Sequence, residues 1–574
     1  MSENQNSSRE QGMEKYFFRT SAENFKKIPG SPIGYWVSDR QFECFDKYPQ
    51  LSEFAVSSNG VQTGNNAKYV RQWSEVSSAK VNSRWFPYNK GGQFRRWYGN
   101  FDFLVNWEND GSAIKSEKNF CARGEEFYFS QGITWSDITS GKLSGRILPK
   151  GFLFDASGPS AFFKDSSLTY VGLALLNTKF ADFWSKILNP TLHFQSGDFR
   201  KLTLAPAYIS ENTNLTAKCL LKISKDDWDA YETSWDFTNL PLLHSNYRQT
   251  TLKASYAKLR AHWCEMTLEM QRLEQENNQI FIDAYGLQDE LTPGVPLNEI
   301  TLTCNPHYRY GGDKTEEELE AMLLADTMRE LVSYAVGCML GRYSVDKQGL
   351  VLANQGEMLE DYLAQVPQPS FPADDDNVIP VLDGDWFADD ITLRFRQFLR
   401  VAFGDEHYDE NLAFIEQALN VKGKRNYSLR DYFLSEFYAD HVKRYKKRPI
   451  YWLFSSPKGS FSALIYMHRY RPDTVSVVLK YLRDCREKLS TEKERQASVS
   501  INPATSQGDK TRALKEVDRL AKVLAELEDY ERDVLYPKAT EQIAIDLDDG
   551  VKVNYLKFGA ALKKITGLDT KEED

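Results

Sequence analysis

Residues 252–284 carry the feature that most restricts how this chain can fold. Leu252, Tyr256, Leu259, Trp263, Met266, Met270, Leu273, Asn277, Ile280 and Ala284 step along it by fours and threes in alternation. That spacing makes a heptad stripe on one long helix, with a single polar seam residue, Asn277. The helix either lays its stripe on its own protein or serves as a rigid spacer or partner helix, and spacing alone does not separate these.

The chain has 574 residues, more than one ordinary core accommodates, so it divides into two to four domains. Aromatic residues at 13% and charged residues at 26% place it among globular proteins. The formal net charge of −10 excludes a protein that is basic all over; a nucleic-acid reader with this balance concentrates its Lys and Arg on one face. The N-terminus has no apolar signal core, and the longest apolar runs, such as YVGLALL (170–176), are too short to span a bilayer. Seven cysteines, at 44, 121, 219, 264, 304, 338 and 485, are dispersed without a C-x-x-C pair. That usage suits reduced thiols, and the expectation is a cytoplasmic protein with no membrane partner and no metal site.

The pattern along the chain reads as α+β. Residues 1–15 are polar and read as a disordered tail. Residues 50–240 hold short strand-like pieces broken by Gly, Asn and Ser, with one helical interlude from Leu168 to about Leu188 that stops at Asn189-Pro190. The long helix occupies 241–290, and 291–372 mix loops with a helical stretch from Glu316 to about Gly341. The segment VPQPSFPADDD (366–376) has linker composition, with solvated aspartates. From 373 to 574 the chain is mostly helical, and 473–494 with 511–535 read as a helical hairpin around the polar stretch 498–510.

One segment, RWFPYNKGGQFRRWYGNFDFLVNWENDG (84–111), mixes aromatic and basic residues. Its second part follows period two, with Phe101, Phe103, Val105 and Trp107 on one face and Asp102, Asn106 and Glu108 among the residues on the other, as in a half-buried strand. Its first part offers a different chemistry. Tyr88, Asn89, Lys90, Gly91 and Gly92 lead into Arg95, Arg96, Trp97 and Tyr98. Two glycines let backbone N–H groups approach a phosphate, and the cations beside them supply charge. Upstream, GVQTGNNAKYVRQW (60–73) adds Lys68 and Arg71 beside a turn formed by Thr63, Gly64 and Asn65. Between Ala67 and Tyr98 the cations are Lys68, Arg71, Lys80, Arg84, Lys90, Arg95 and Arg96, against Glu75 alone. Phosphate contact and a solvated basic face both fit such an island.

The sequence holds no G-x-x-x-x-G-K-[ST] loop, no G-x-G-x-x-G after a strand, no H-E-x-x-H and no G-x-S-x-G. The seven histidines, at 193, 244, 262, 307, 407, 441 and 468, form no close pair at ligand spacing. Methylation of a base amine needs a loop with Asn or Asp, two prolines and an aromatic that stacks on the extruded base. The nearest match, Asn305-Pro306-His307-Tyr308, has His for the second proline and no glycine-rich cofactor loop upstream, and reads as a chance match. No catalytic residue is assigned.

Several long blocks carry a family resemblance. VQTGNNAKYVRQW, RWFPYNKGGQFRRWYGN with VNWENDG, ITSGKLSGRILPKGFLFDASGPSAF, LLNTKFADFWSKILNPTLHFQSGDFRKL, KRPIYWLFSSPKGSFSALIYMHRY and LDDGVKVNYLKFG resemble, in order, the C-terminal half of PglX-type adenine-specific DNA methyltransferases of BREX phage-defence systems. FFRTSAENFKKIPGSPIGYWVSD (17–39) is similar to the end of that family's catalytic half, so 16–49 reads as its tail and linker. The resemblance implies a target-recognition domain over 50–240, with Ser140 and Arg146 joining the DNA-binding candidates. It also implies double-stranded DNA as partner, and S-adenosylmethionine as the cofactor of the full enzyme. The cofactor and Asn-Pro-Pro-Tyr elements are missing here. The resemblance therefore points to a recognition half that works with a separately encoded catalytic half, to a DNA-bound scaffold for other phage-defence proteins, or to a truncated remnant or fragment with no separate role.

Overall fold

The computed structural model describes residues 20–138, 142–205 and 211–569, and the tail read at 1–15 lies outside them. The chain forms two compact units built from interleaved segments. The fold is α+β, with small sheets among many helices.

The first unit takes Met1–Gly64, Phe86–Trp228 and Trp263–Gly311. Its main sheet is antiparallel, with strands in the order Ala55–Ser58, Ser160–Phe163, Gly132–Thr134 and Arg146–Leu148. Register pairs Ala55 with Phe163, Ile133 with Ala161 and Gly132 with Leu148. Every residue of the two strands Gly132–Thr134 and Arg146–Leu148 is buried, so both faces are covered. One cover is the helix Thr169–Leu176, which packs on Gly132–Thr134. It is apolar nearly all round, as a fully enclosed helix must be. The interlude expected as one helix breaks at Asn177. Thr178 then caps Lys179–Leu188, its hydroxyl accepting from Ala181 N–H at 3.0 Å.

The period-two reading of 101–107 does not hold. The strand is Phe103–Asn106, its consecutive residues Leu104 and Val105 are both fully buried, and Phe103 is only half-buried. Alternation marks a strand with one wet face, and this strand has none to offer. Trp107 leads into a left-handed turn at Asn109, Asp110 and Gly111 (φ 52°, 55° and 69°) instead of extending the strand.

The stripe on 252–284 does form one helix, Leu252–Tyr285. Its positions Leu252, Leu259, Trp263, Met270, Leu273, Asn277 and Ala284 are buried within the chain itself. The seam asparagine is satisfied too, since Asn277 Nδ2 donates to the Ala174 carbonyl at 3.0 Å. This settles the open choice for those positions in favour of self-packing.

The second unit takes Asn65–Trp85, Asp229–His262 and Gly312–Asp574. The helix Glu316–Met339 opens with a capping box between Thr315 and Glu318, and Ile391–Phe403, Tyr408–Leu419 and Phe437–Arg444 gather around it. A three-stranded antiparallel sheet sits among these helices, Tyr451–Ser455 and Ser462–Tyr466 with Ile379–Pro380 at the edge. The helical hairpin is present but longer than expected. Thr474–Ile501 runs on until Asn502-Pro503, and Gln507–Tyr530 returns. Only 502–506 make the turn, because nothing in SVSI stops a helix. Leu482, Leu489, Leu520 and Leu527 fill the seam.

The segment 366–376 is not an exposed linker. Val366, Phe371 and Ala373 are buried, and Asp374 is only 7% exposed. Asp374 Oδ1 accepts from Val378 N–H at 3.1 Å, and Arg469 donates to the Asp374 carbonyl at 2.8 Å. Proline-rich composition here encodes a packed irregular loop. Among the described residues no helix is long and apolar enough to cross a membrane.

Candidate nucleic-acid interface

In the first unit the loop after Trp85–Asn89 is held from three sides. Tyr88 is fully buried, and its hydroxyl donates to Asp155 Oδ2 at 2.6 Å, with the Val61 carbonyl 2.8 Å away. Burial and the Asp155 charge hold that phenol well above its ordinary pKa, so it stays a donor. Asn89 Nδ2 donates to Thr134 Oγ1 and to the Gly158 carbonyl. Lys90, the half-exposed member, reaches Asp155 at 3.1 Å. Gly91 has φ 73°, and a Cβ there would meet the Ser157 carbonyl at 2.4 Å. The glycine pair therefore serves a close backbone approach within the protein, though Gly92 itself remains exposed.

The two arginines lie beneath this loop. Arg95 is 5% exposed; its Nη2 meets Asp227 at 2.6 Å, its Nη1 donates to Thr303 Oγ1, and its plane lies 4.8 Å from the Trp228 ring. Arg96 is equally buried, with Nη1 at 2.6 Å from Glu274 and Nη2 at 3.5 Å from Glu299. The other Glu274 oxygen accepts from Trp97 Nε1 at 2.8 Å. Burial lifts the Glu274 carboxyl above its ordinary pKa, while Arg96 and the Trp97 indole N–H pull it the other way. Trp97 is fully enclosed at φ 70°, and Tyr98 is buried, its ring against Phe101. Arg146 is wholly buried and, among the described residues, has no carboxylate partner, donating to the Arg95 carbonyl and to Ser136 Oγ. Burial brings its guanidinium down to about 10. Thr63 is buried, and Gly64, at φ 71°, packs its backbone on Asn119. Ser140 lies outside the described residues.

Arg95, Arg96, Trp97 and Arg146 thus have the geometry of a scaffold. A phosphate reaching Arg95, Arg96 or Trp97 would first have to displace Asp227 or Glu274 from buried, charge-assisted hydrogen bonds.

In the second unit, Asn65 caps the short helix Asn66–Tyr69, its side chain accepting from Lys68 N–H at 3.1 Å. Lys68 is exposed, its ammonium 4.8 Å from the Tyr69 ring. Arg71 is buried, donating to the carbonyls of Asp548, Ala67 and Val70 and stacking on Trp85. Asp548 gathers the remaining cations, Lys80 at 2.5 Å and Arg84 at 3.0 Å, and accepts from Trp85 Nε1 at 2.8 Å. Burial raises its carboxyl, but the hydrogen bonds from Lys80 and Trp85 and the nearby charges outweigh that and leave it below the usual range.

The counter-ions are what the sequence left hidden. Asp227, Glu274 and Asp548 come from segments far along the chain, with no local signal linking them to 68–98. Glu75, visible as the lone acid of the island, is 1% exposed and accepts from Gln72 and Val551 N–H.

The Asn305-Pro306-His307-Tyr308 element does not fit an amine-holding loop. Asn305 is 1% exposed; its oxygen accepts from His307 N–H, and its amide donates to the Leu297 and Ile300 carbonyls. It is spent as the cap of Pro306–Tyr310. Among the described residues no group of three or more His, Cys, Asp or Glu is placed to hold a metal ion.

No family model matches the chain. It is 39% identical over 573 residues to the adenine-specific methyltransferase BrxX of Escherichia coli O9:H4 (strain HS), a match covering 96% of this chain and 46% of that protein. It is 36% identical over 582 residues to the adenine-specific methyltransferase PglX of Lacticaseibacillus casei (strain Zhang), again over 96% of this chain and 46% of the relative. The chain is a homologue of adenine-specific methyltransferases. In particular, it is related to BrxX and PglX through nearly all of its length and spans about half the length of these curated relatives.

Proposed function

We propose that this chain is the DNA-recognition half of an adenine-specific (N6) DNA methyltransferase of a BREX-type phage-defence system. Methyl transfer then requires a catalytic half that supplies S-adenosylmethionine binding and the Asn-Pro-Pro-Tyr loop. The observation that carries this reading is the alignment, which takes in 96% of this chain but only 46% of an adenine-specific methyltransferase. The spent amide of Asn305 supports it, since the nearest approach to a target-amine loop is occupied by capping.

In this reading the exposed Lys68, the half-exposed Lys90 and the backbone turns at 63–65 and 91–92 meet DNA phosphates. Arg71, Arg95, Arg96, Trp97 and Arg146 act beneath the surface by fixing the loops. The partners are double-stranded DNA and a methyltransferase catalytic half. Fluorescence anisotropy of the purified chain with duplex DNA over a salt series tests DNA binding, where a log–log slope near zero would count against it. Calorimetry with S-adenosylmethionine tests the division of labour, and stoichiometric binding by this chain alone would sink it.

A further inference from the structure

In residues 443–448, Lys-Arg-Tyr-Lys-Lys-Arg, five of six positions are basic, and the site above uses none of them. The run lies in the second unit, at the end of the helix Phe437–Arg444. Tyr445 N–H still donates to the His441 carbonyl at 3.1 Å, and Lys447 N–H closes the stop on the Val442 carbonyl at 2.8 Å. Lys446 and Lys447 both have positive φ, 48° and 63°. Glycine reaches such angles without penalty, whereas a side chain with a Cβ is strained there. Elsewhere this chain does use glycine at helix stops, as with Gly404 after Ile391–Phe403, at φ 82°. Two consecutive lysines are thus held against the backbone's preference, a strain that glycine would avoid.

Those side chains point to a charge-based function. Lys443, Lys446 and Lys447 are exposed. Arg444 turns inward to Glu232 at 2.6 Å, and Arg448 lies 3.7 Å from Glu75. Among the described residues no carboxylate pairs with Lys443 or Lys447. Glu75 also flanks Arg71: a Cβ at Gly550 would lie 2.7 Å from Arg71 Nε and 3.1 Å from Glu75 Oε2. One buried carboxylate therefore ties the 443–448 run to the segment that carries Lys68 and Arg71. The geometry points to the turn 443–447 as a contact for the phosphate backbone of duplex DNA, independent of base sequence. Flexible ammonium groups on an exposed turn suit a polyanion read by charge.

This inference rests on the DNA-recognition reading, and the two can fail separately. Lysines at a helix C-terminus also stabilise the helix through its dipole, and that alternative predicts opposite outcomes. The decisive variants are Lys447→Gly and the double Lys443→Ala/Lys447→Ala, with Lys480→Ala, an exposed lysine elsewhere, as the charge control. Lys447→Gly should raise the melting temperature by about 1–2 °C, because the strain is relieved, and weaken DNA binding roughly threefold to tenfold. The double variant should flatten the log–log salt slope by about two, and Lys480→Ala should leave it unchanged. DNA affinity and slope equal to the parent's in both lysine variants would overturn the inference, whatever melting does. A loss of melting temperature without loss of DNA affinity would assign the lysines to the helix stop. A parent chain that binds no DNA at all would overturn both this inference and the reading beneath it.

Discussion

The chain has basic residues at 95–96 and at 443–447 that look alike on paper, yet the two arginines of the first and the lysines of the second meet different surroundings. Arg95 and Arg96 are buried, and each faces a carboxylate at 2.6 Å. Lys443 and Lys447 are exposed and, among the described residues, face none. Burying a guanidinium costs several kcal/mol, which only an ion pair with further hydrogen bonds offsets. Asp227 and Glu274 meet that cost, and the loop 91–98 is fixed as a result. Solvated lysines bear no such cost and keep their charge available to a polyanion. A basic residue's function is therefore decided by its partner, and counting charges along a sequence leaves the partner out.

The sharpest break of this comparison is removal of a counter-ion. Glu274→Ala would leave Arg96 charged and buried with only the longer Glu299 contact, and would orphan the Trp97 indole N–H. The expected loss is about 3–5 kcal/mol of folding stability, read by denaturant unfolding. Trp97→Ala tests the same core from the other side and should cost a similar amount, about 3–5 kcal/mol. A Trp97 that stacked on DNA bases would leave unfolding nearly unchanged, so a loss below about 1 kcal/mol in both variants would dissolve the contrast between the two runs.

A buried carboxylate that faces another carboxylate sharpens the same point. Burial first, and the charge of Asp376 second, push Asp374 up to about 7. In the unfolded chain this group titrates near the ordinary aspartate value, so between the two pKa values only the folded state keeps the proton. Its contribution to stability is fully present below the unfolded pKa and is lost as pH rises through about 7. Asp374→Asn should remove that slope and gain stability on the order of 1–3 kcal/mol at pH 8. Parallel stability–pH curves for the parent and Asp374→Asn between pH 4 and 8 would show that Asp374 is ionised throughout.

What the sequence disclosed follows from how far each signal reaches. The Leu252–Tyr285 helix was legible because its stripe is a local repeat, and the helical hairpin because its two apolar patterns are continuous. The hairpin's turn was drawn too long, since polar residues inside a helix look like loop until a proline stops them. The strand at 103–106 was misread because enclosure on both faces erases the alternation. The site was legible in its cations and illegible in its anions: Glu274 sits 178 positions from Arg96, and Asp548 sits 468 from Lys80. The 443–448 run is plain in the sequence, whereas the positive φ of Lys446 and Lys447 is not.

The smallest expected effect falls on Lys68, the exposed cation of the predicted island. Its ammonium lies over the Tyr69 ring at 4.8 Å, an exposed contact of about 0.5–1 kcal/mol at most. Its backbone N–H is held by Asn65 Oδ1, a cap that Lys68→Ala leaves intact. Folding stability should therefore change by no more than about 1 kcal/mol. DNA affinity should nevertheless fall for every duplex tried, with the salt slope flatter by about one, if Lys68 meets a phosphate. Asn65→Ala provides the counterpart, since losing the cap should cost about 1 kcal/mol and loosen the turn while leaving the charge in place. Equal DNA binding by the parent and Lys68→Ala would make Lys68 a solvated face. Weaker binding by Asn65→Ala alone would mean that the turn's shape, rather than its charge, is what DNA reads there.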